Sequence, residues 1–288
     1  MNYVKPQEVL EQMVQAGAAK AKLPAKDMLI RGFLGGAILS FATTLAYTAT
    51  AQTGLGIVGS VIFPVGFVII ILLGLELVTG TFALAPLAVL EKRATVTEML
   101  KNFSLVILGH LIGAIVYAAL FYTAATNLGH VNNNAVIQTI IKTAEAKTNG
   151  YSALGMDGMI SVFVKAMLCN WMVTLGAVMA MTSSSTTGKI VAMWLPILMF
   201  FAQGFEHAVV NMFVIPAGMM YGAKVTLGGW WLWNQIPVLL GNFAGGVLFT
   251  GMMLYWTHAK REAASSRPHP QAAEKPVSTK VAELPTVR

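Results

Sequence analysis

The sequence predicts an all-α integral membrane protein of six transmembrane helices, arranged as two inverted halves of three. The first observation is composition: 56% of the residues are hydrophobic and 11% are charged, whereas a soluble domain carries about 25% charged residues. The second is that six apolar stretches can each supply the ~20 residues that cross a bilayer core. The third is that the two apolar halves of the chain resemble each other.

The six predicted spans differ in length. They lie near 33–51, 57–89, 104–125, 158–181, 190–220 and 234–257. The second and fifth stretches are longer than one straight helix needs, and both contain glycine and polar residues at mid-length. This pattern is typical of spans that are interrupted near the membrane midplane.

Three matching pairs of segments carry the internal repeat. Gly-Leu-Glu at 74–76 matches Gly-Phe-Glu at 204–206, Leu-Gly-His-Leu-Ile-Gly at 108–113 matches Leu-Gly-Asn-Phe-Ala-Gly at 240–245, and Arg31 matches Lys165. Because each half holds an odd number of spans, the second half is predicted to lie upside down relative to the first. Inverted repeats of this kind build transport proteins, with the pathway between the halves.

Positive charges predict the orientation. With both termini inside, the inner segments 1–32, 90–103, 182–189 and 258–288 hold fifteen Lys and Arg, whereas the outer segments 52–56, 126–157 and 221–233 hold three. The positive-inside rule therefore predicts a multi-pass protein with both termini cytoplasmic. It also accounts for the net charge of +7 without nucleic acid, because no folded soluble face is available to gather basic residues.

The ends of the chain are predicted to be accessory. Residues 1–31 are expected to form an amphipathic segment on the cytoplasmic membrane face. Residues 32–258 form the six-span transport domain, with repeat halves at about 32–125 and 158–258. Residues 259–288, rich in Ala, Ser, Pro, Lys and Glu, are expected to be a disordered cytoplasmic tail.

Polar side chains inside the spans mark the candidate site. A charge at the centre of a membrane helix costs roughly 2.5–3.5 kcal/mol on insertion scales, so it persists where it faces a partner or a watery cavity. The residues of this kind are Glu76, His110, Lys165, Asn170, Glu206, His207, Asn211 and Asn242. No metal site is expected, since their number and type do not match one.

Helical spacing predicts which of these residues face the pore and which support its structure. His207 and Asn211 are four apart and share a face of a helix, whereas Glu206 points about 100° away from His207. We therefore assign His207 to the pore and Glu206, like Glu76, to a supporting position, with freed backbone amides as candidate partners.

His110 and Asn242 occupy equivalent repeat positions, each one residue after a glycine. They are expected to hydrogen-bond the broken segments, because backbone freed from a helix in a bilayer must find partners. Gly109 with Gly113, and Gly241 with Gly245, have the spacing that lets two helices approach closely.

Four motifs, in order along the chain, resemble those of the formate/nitrite transporter family. They are Leu77-Val78-Thr79-Gly80, Lys165-Ala166-Met167-Leu168-Cys169-Asn170-Trp171, Gly204-Phe205-Glu206-His207 with Asn211-Met212, and Gly241-Asn242 with Gly245-Gly246. The resemblance covers about residues 5–258. It implies an aquaporin-like fold, a homopentamer with one pore per protomer, no cofactor, and small monovalent anions such as formate, nitrite or hydrosulfide as cargo.

The resemblance also implies the pathway residues. Phe63, Val173 and Phe200 would form an outer constriction, and Phe67 and Leu77 an inner one, on either side of a chamber containing His207. Thr79 matches a threonine that faces the histidine. Lys165 matches a lysine that lies outside the outer constriction.

A mechanism that fits these positions transports a weak acid in its neutral form. A bare anion crossing an apolar slit loses its hydration at a cost of several kcal/mol. Lys165 would attract the anion, and Asn170 and Asn211 would hydrogen-bond its oxygens. The cargo would then take a proton from water or from His207, since imidazole's ordinary pKa near 6.5 suits proton exchange. Whether His207 relays the proton or only gates stays open.

Formate is the expected cargo, since the stretch 79–86 resembles the formate-transporting branch. Val78 and Ala208 depart from the aromatic and the serine frequent in the family, so nitrite, hydrosulfide or another small monocarboxylate are alternatives. A neutral-solute channel would carry Asn-Pro-Ala tips, which the sequence lacks. A redox-enzyme membrane anchor would need paired histidines on facing helices. The expectation is a transporter rather than an enzyme, in a bacterial cytoplasmic (inner) membrane.

Overall fold

A computed structural model describes residues 2–131 and 133–265 of the chain. The helices are α1 (Pro6–Ala21), α2 (Ala25–Thr53), α3 (Gly56–Ile62), α4 (Pro64–Leu72), α5 (Val78–Thr81), α6 (Ala85–Leu90), α7 (Val96–Thr126), α8 (Ala135–Ser152), α9 (Gly155–Met181), α10 (Thr186–Ala202), α11 (Ala208–Met220), α12 (Leu227–Trp230), α13 (Ile236–Gly245) and α14 (Met253–Ser265). π-Helical turns at Trp231–Gln235 and Gly246–Met252 join α12, α13 and α14 into one rod.

The helices form six apolar rods, of which two are broken. Within the described residues, four continuous helical segments are long and apolar enough to cross a membrane: α2, α7, α9 and the composite Leu227–Ala259. The second and fifth rods consist of shorter apolar pieces, α3 to α6 and α10 with α11. The prediction of an all-α fold with interrupted second and fifth spans is therefore confirmed.

The N-terminal helix packs against the helical bundle. The buried residues of α1, including Val9, Met13 and Val14, pack against Leu84 and Leu87 of the second rod. The apolar side of α1 is therefore used at least in part for packing on the bundle, and its position at the cytoplasmic membrane face stays a prediction. α14 continues to Ser265, so the start of the predicted disordered tail is helical, and the rest lies outside the described residues.

The internal repeat extends beyond the two predicted halves, because a short polar helix precedes each of them. α1 precedes the first half and α8 precedes the second. The amide of Asn102 donates to the Lys20 carbonyl at 2.9 Å, and the amide of Asn234 donates to the Lys147 carbonyl at 3.0 Å. These equivalent bonds attach α1 to α7 and α8 to the last rod.

Glycines set the closest helix contacts. α2 packs along α7, and α9 along α13. A Cβ at Gly113 would collide with the Phe33 carbonyl of α2, and a Cβ at Gly245 would collide with the Met167 carbonyl of α9. Small residues let helix backbones touch in this way, so the predicted glycine spacing acts in packing.

Replacing Gly113 by Ala tests this packing. We expect Gly113→Ala to lower stability by about 1–3 kcal/mol, because the added methyl forces α2 and α7 apart. Thermal unfolding in detergent measures the change. Gly228→Ala is the matched control, since a Cβ at Gly228 meets no atom within 4 Å. Equal melting temperatures for the two variants would contradict the expectation.

Candidate functional site

The two helix breaks share one backbone design. Gly74 and Gly204 adopt positive φ values of 62° and 65°, which glycine tolerates without strain. The next backbone N–H groups reach back to the preceding half-helix, Leu75 to Ile70 O at 3.0 Å and Phe205 to Phe200 O at 3.2 Å. Each break thus turns the chain sharply and restarts a helix at α5 or α11.

His207 lies in the extended part of the second break, not inside a helix. Its φ and ψ are −112° and 119°, and it is the N-cap of α11. The expectation that His207 and Asn211 share a helical face into the pore therefore differs from the structure. The helical period was applied across a break, where it does not hold.

The ring of His207 is held by two hydrogen bonds. Its Nδ1 accepts the Val210 N–H at 3.2 Å, so the ring proton of the neutral imidazole sits on Nε2. Nε2 lies 2.9 Å from Thr79 Oγ1 and donates to that oxygen. His207 and Thr79 are 2% and 0% exposed, so the pair joins the two broken helices in the protein interior.

Aromatic rings cover one side of this pair. The Phe200 ring stacks on His207, with 5.5 Å between ring centroids. Phe63 meets Phe200 edge-on at 5.8 Å, and Phe201 stacks on Phe63 at 3.8 Å. Phe201 was missed by the sequence analysis, because adjacent residues on a helix point in different directions.

The other expected constriction residues are also buried. Val173, Phe67 and Leu77 are 1%, 1% and 3% exposed. Leu77 is the repeat counterpart of His207, since it follows Glu76 as His207 follows Glu206. One half thus supplies a polar ring and the other an aliphatic side chain at equivalent positions.

Two cavities open on opposite sides of the pair. The Lys147 vestibule, of about 570 Å³, is lined by Lys142, Thr143, Ala146, Lys147, Gly150, Tyr151, Leu154, Lys165, Gly204 and Glu206. The Lys20 vestibule, of about 280 Å³, is lined by Gln12, Lys20, Ile71, Leu72, Gly74, Leu75, Leu77, Gly80, Thr81, Leu84, Ala177, Ala180, Met181 and Lys189. Glu206, which lines the Lys147 vestibule, directly precedes His207. Gly80, which lines the Lys20 vestibule, directly follows Thr79. Each member of the pair is therefore next in sequence to a vestibule residue.

The two glutamates form ion pairs with the short polar helices. Lys20 Nζ lies 2.7 Å from Glu76 Oε1, and Lys147 Nζ lies 2.7 Å from Glu206 Oε2. The partners expected from the sequence, freed backbone amides, are therefore not those of the glutamate side chains. Lys20 and Lys147 were missed, although they stand at equivalent places before the two halves.

The freed amides bond to His110 and Asn242. The Val78 N–H donates to His110 Nε2 at 3.1 Å, and the Ala208 N–H donates to Asn242 Oδ1 at 2.9 Å. His110 is fixed in turn by a 2.7 Å bond between its Nδ1 and the Gly32 carbonyl. These equivalent side chains anchor the start of each second half-helix.

The two asparagines assigned to the cargo use their N–H groups within the protein. Asn170 Nδ2 donates to the carbonyls of Thr79 at 3.1 Å and Asn242 at 2.6 Å. Asn211 Nδ2 donates to Glu206 at 2.8 Å and to Asn234 Oδ1 at 2.8 Å. Their Oδ1 atoms are buried without a hydrogen-bond partner among the described residues, and the role of the two asparagines in binding cargo oxygens stays a prediction.

Lys165 lies in the Lys147 vestibule, half-buried. Its Nζ is 3.4 Å from the Tyr151 hydroxyl and 5.3 Å from the centroid of the Tyr151 ring. Among the described residues, no group of three or more His, Cys, Asp or Glu side chains could hold a metal ion.

Sequence comparisons agree with these features. Residues 7–256 match the family model for "Formate/nitrite transporter". The chain is 31% identical to the uncharacterized transporter YrhG of Bacillus subtilis, over 91% of this chain and 96% of the relative. It is 32% identical to a probable formate transporter of Methanothermobacter thermautotrophicus, over 90% and 98%. It is 30% identical to the formate channel BtFdhC of Bacillus thuringiensis, over 91% and 99%.

Solved structures share the fold. An FNT family ion channel superposes with a TM-score of 0.73 at 24% identity, over 87% of this chain and 98% of the other. A pentameric formate channel with formate bound superposes with a TM-score of 0.67 at 23% identity, over 82% and 98%. With the family model matching nearly the whole of the helical core, the chain belongs to the formate/nitrite transporter family.

Proposed function

We propose that this chain moves formate across the bacterial cytoplasmic membrane, and that the cargo loses its charge near His207. The observation that carries the proposal is the buried His207–Thr79 pair between two lysine-lined vestibules. The names of relatives, a formate channel and a probable formate transporter, support formate as the cargo. Protons are the second participant.

Anion capture is the first step. Lys142, Lys147 and Lys165 line the Lys147 vestibule, and a cavity of one charge sign raises the local concentration of the opposite ion. Lys147 is already paired with Glu206, and Lys142 is exposed at the rim. Lys165 is therefore the cation that we assign to capture.

Neutralisation is the second step. Phe63, Val173 and Phe200 would strip hydration from a bare anion, and the membrane potential adds ~2.3 kcal/mol per charge per 100 mV against inward anion movement. Only about one formic acid molecule in a thousand is neutral at pH 7 if its pKa is near that of a carboxyl group. Protonation therefore has to be favoured at the protein.

The bonds of His207 favour a gating role over proton relay. Its Nδ1 lone pair is occupied by the Val210 N–H, and the proton on Nε2 is donated to Thr79. A neutral imidazole is far too weak an acid to protonate formate. We therefore assign the proton to water in the vestibule, with His207 orienting the Thr79 hydroxyl toward the cargo.

Assembly as a homopentamer is part of the proposal. It is supported by the likeness to a channel described as pentameric and by large apolar side chains exposed on the single chain, such as Phe41 at 61% and Leu120 at 63%. Such surface fits lipid or a neighbouring copy. The excess of Lys and Arg in the inner segments supports cytoplasmic termini.

Uptake into proteoliposomes tests the cargo directly. We expect labelled formate uptake to exceed acetate uptake and to rise as the external pH falls, because the neutral acid becomes more abundant. Nitrite and hydrosulfide, measured in the same vesicles, decide between the alternatives. Formate uptake no faster than in empty liposomes would rule the proposal out.

Removing either member of the central pair should slow transport. We expect His207→Asn and Thr79→Val each to lower formate uptake about tenfold, the cost of one lost hydrogen bond in a dry site. Thr43→Val is the matched control, because the buried Thr43 hydroxyl bonds only to the Leu39 carbonyl among described residues and Thr43 lines neither vestibule. If His207→Asn keeps the full rate and pH dependence, His207 has no role in conduction.

Lys165 is tested by its effect on the concentration dependence of uptake. We expect Lys165→Ala to raise KM for formate about fivefold, as for one exposed ion pair, with Vmax little changed. Lys142→Ala is the control, since this exposed lysine lines the same vestibule. An equal effect of both substitutions would indicate a diffuse field rather than a specific capture site.

A further inference from the structure

The Lys147 vestibule contains more basic than acidic groups close together. Lys142, Lys147 and Lys165 line it, and Glu206 is the one carboxylate among the described lining residues. A carboxylate within reach of two ammonium groups would normally attract both. Lys147 pairs with Glu206 at 2.7 Å, so the position of Lys165 needs a physical explanation.

Both oxygens of Glu206 are already occupied. Oε2 accepts from Lys147 Nζ at 2.7 Å, from Asn211 Nδ2 at 2.8 Å and from Asn234 Nδ2 at 3.3 Å. Oε1 accepts from the Tyr151 hydroxyl at 2.7 Å. Glu206 Oε1 thus accepts from the neutral Tyr151 hydroxyl and not from a second cation.

Tyr151 also contacts Lys165. The Lys165 ammonium lies 3.4 Å from the Tyr151 oxygen and 5.3 Å from the ring centroid, a distance at which the ring face attracts a cation. Among the described residues, Lys165 forms no ion pair with a carboxylate. Its charge is held in place by a neutral side chain.

The hydroxyl of Tyr151 remains a donor. Burial, followed by the nearby carboxylate of Glu206, raises the pKa of the Tyr151 phenol. The phenol therefore stays protonated and directs its hydrogen to Glu206. The Tyr151 oxygen then presents its lone pairs to the Lys165 ammonium.

We propose that Tyr151 is a positioning residue for anion capture, which separates Lys165 from Glu206 and so leaves the Lys165 charge available to the cargo. This inference rests on the proposed role of Lys165 in capturing formate. Without the hydroxyl, Lys165 would move onto Glu206 Oε1 and form a second ion pair. The ammonium would then be neutralised by the protein before an anion arrived.

The first half of the repeat lacks such a tyrosine and arranges its charges differently. Pro24 stands where the spacing of Lys20 and Lys147 would place the tyrosine. Among the described residues, Glu76 Oε2 has no hydrogen-bond partner. Arg31, the counterpart of Lys165, lies 3.6 Å from Asp27. Among the described residues, a lysine without a carboxylate partner beside a glutamate covered by a tyrosine hydroxyl is therefore found in the Lys147 vestibule and not at the equivalent place in the first half.

Tyr151→Phe tests the inference, because it removes the hydroxyl and keeps the ring. In vesicles with the Lys147 vestibule facing the labelled formate, we expect KM to rise about fivefold, as for Lys165→Ala, with Vmax within about twofold. KM should also rise less steeply with ionic strength than in the unaltered protein. The Lys165 charge, which salt would otherwise screen, is already neutralised by Glu206 in this variant. Tyr122→Phe, whose ring stacks on Tyr221, is the control and should leave KM unchanged.

The double variant Tyr151→Phe/Lys165→Ala distinguishes positioning from a structural role. We expect its KM to equal that of Lys165→Ala alone, because Tyr151 acts through Lys165. The inference would be overturned if the KM increases of the two single variants multiplied in the double variant. A fall in melting temperature large enough to explain the change in uptake would also overturn it. So would an unchanged KM in Tyr151→Phe where Lys165→Ala raises KM. An unchanged KM in Lys165→Ala would instead refute the capture role itself.

Discussion

The architecture depends on one constraint: backbone groups freed where a helix breaks inside a membrane must be hydrogen-bonded by the protein. Here two helices break at equivalent places, and each second half-helix begins with an N–H bonded by a side chain from the neighbouring rod, His110 or Asn242. His110 is in turn bonded to the Gly32 carbonyl of α2, and Asn242 to the Ala166 carbonyl of α9. These bonds hold both breaks in place and help to orient the side chains within them.

The repeat makes the two halves equal in backbone and different in chemistry. At the position that caps the second half-helix, one half has Leu77 and the other has His207. The imidazole satisfies the Val210 N–H of its own helix with one nitrogen and reaches Thr79 of the other broken helix with the second. A single side chain thus completes a helix terminus and forms the polar contact between the halves.

The sequence was sufficient to predict the spans, the two breaks and the equivalence of Glu76 with Glu206, because these follow from apolar length and local motifs. It was misleading for His207 and Asn211, since the helical period does not continue through a break. Lys147, Tyr151 and Asn234 were not predicted. Their shared partner, Glu206, lies 59, 55 and 28 residues away along the chain, and only tertiary packing brings them together.

The distribution of hydrogen-bond donors fits the proposal that the cargo crosses the centre without charge. The vestibules hold lysines, whereas the N–H groups of Asn170 and Asn211 donate to protein acceptors. The Phe200 ring stacks on His207, and Phe63 packs against Phe200. A pathway for a permanently charged anion would need the opposite arrangement, because a desolvated ion must be bound by new donors where it loses water. In the proposed mechanism, the lysines of the vestibules concentrate the anion where a proton is available, and the neutral acid passes the aromatic centre.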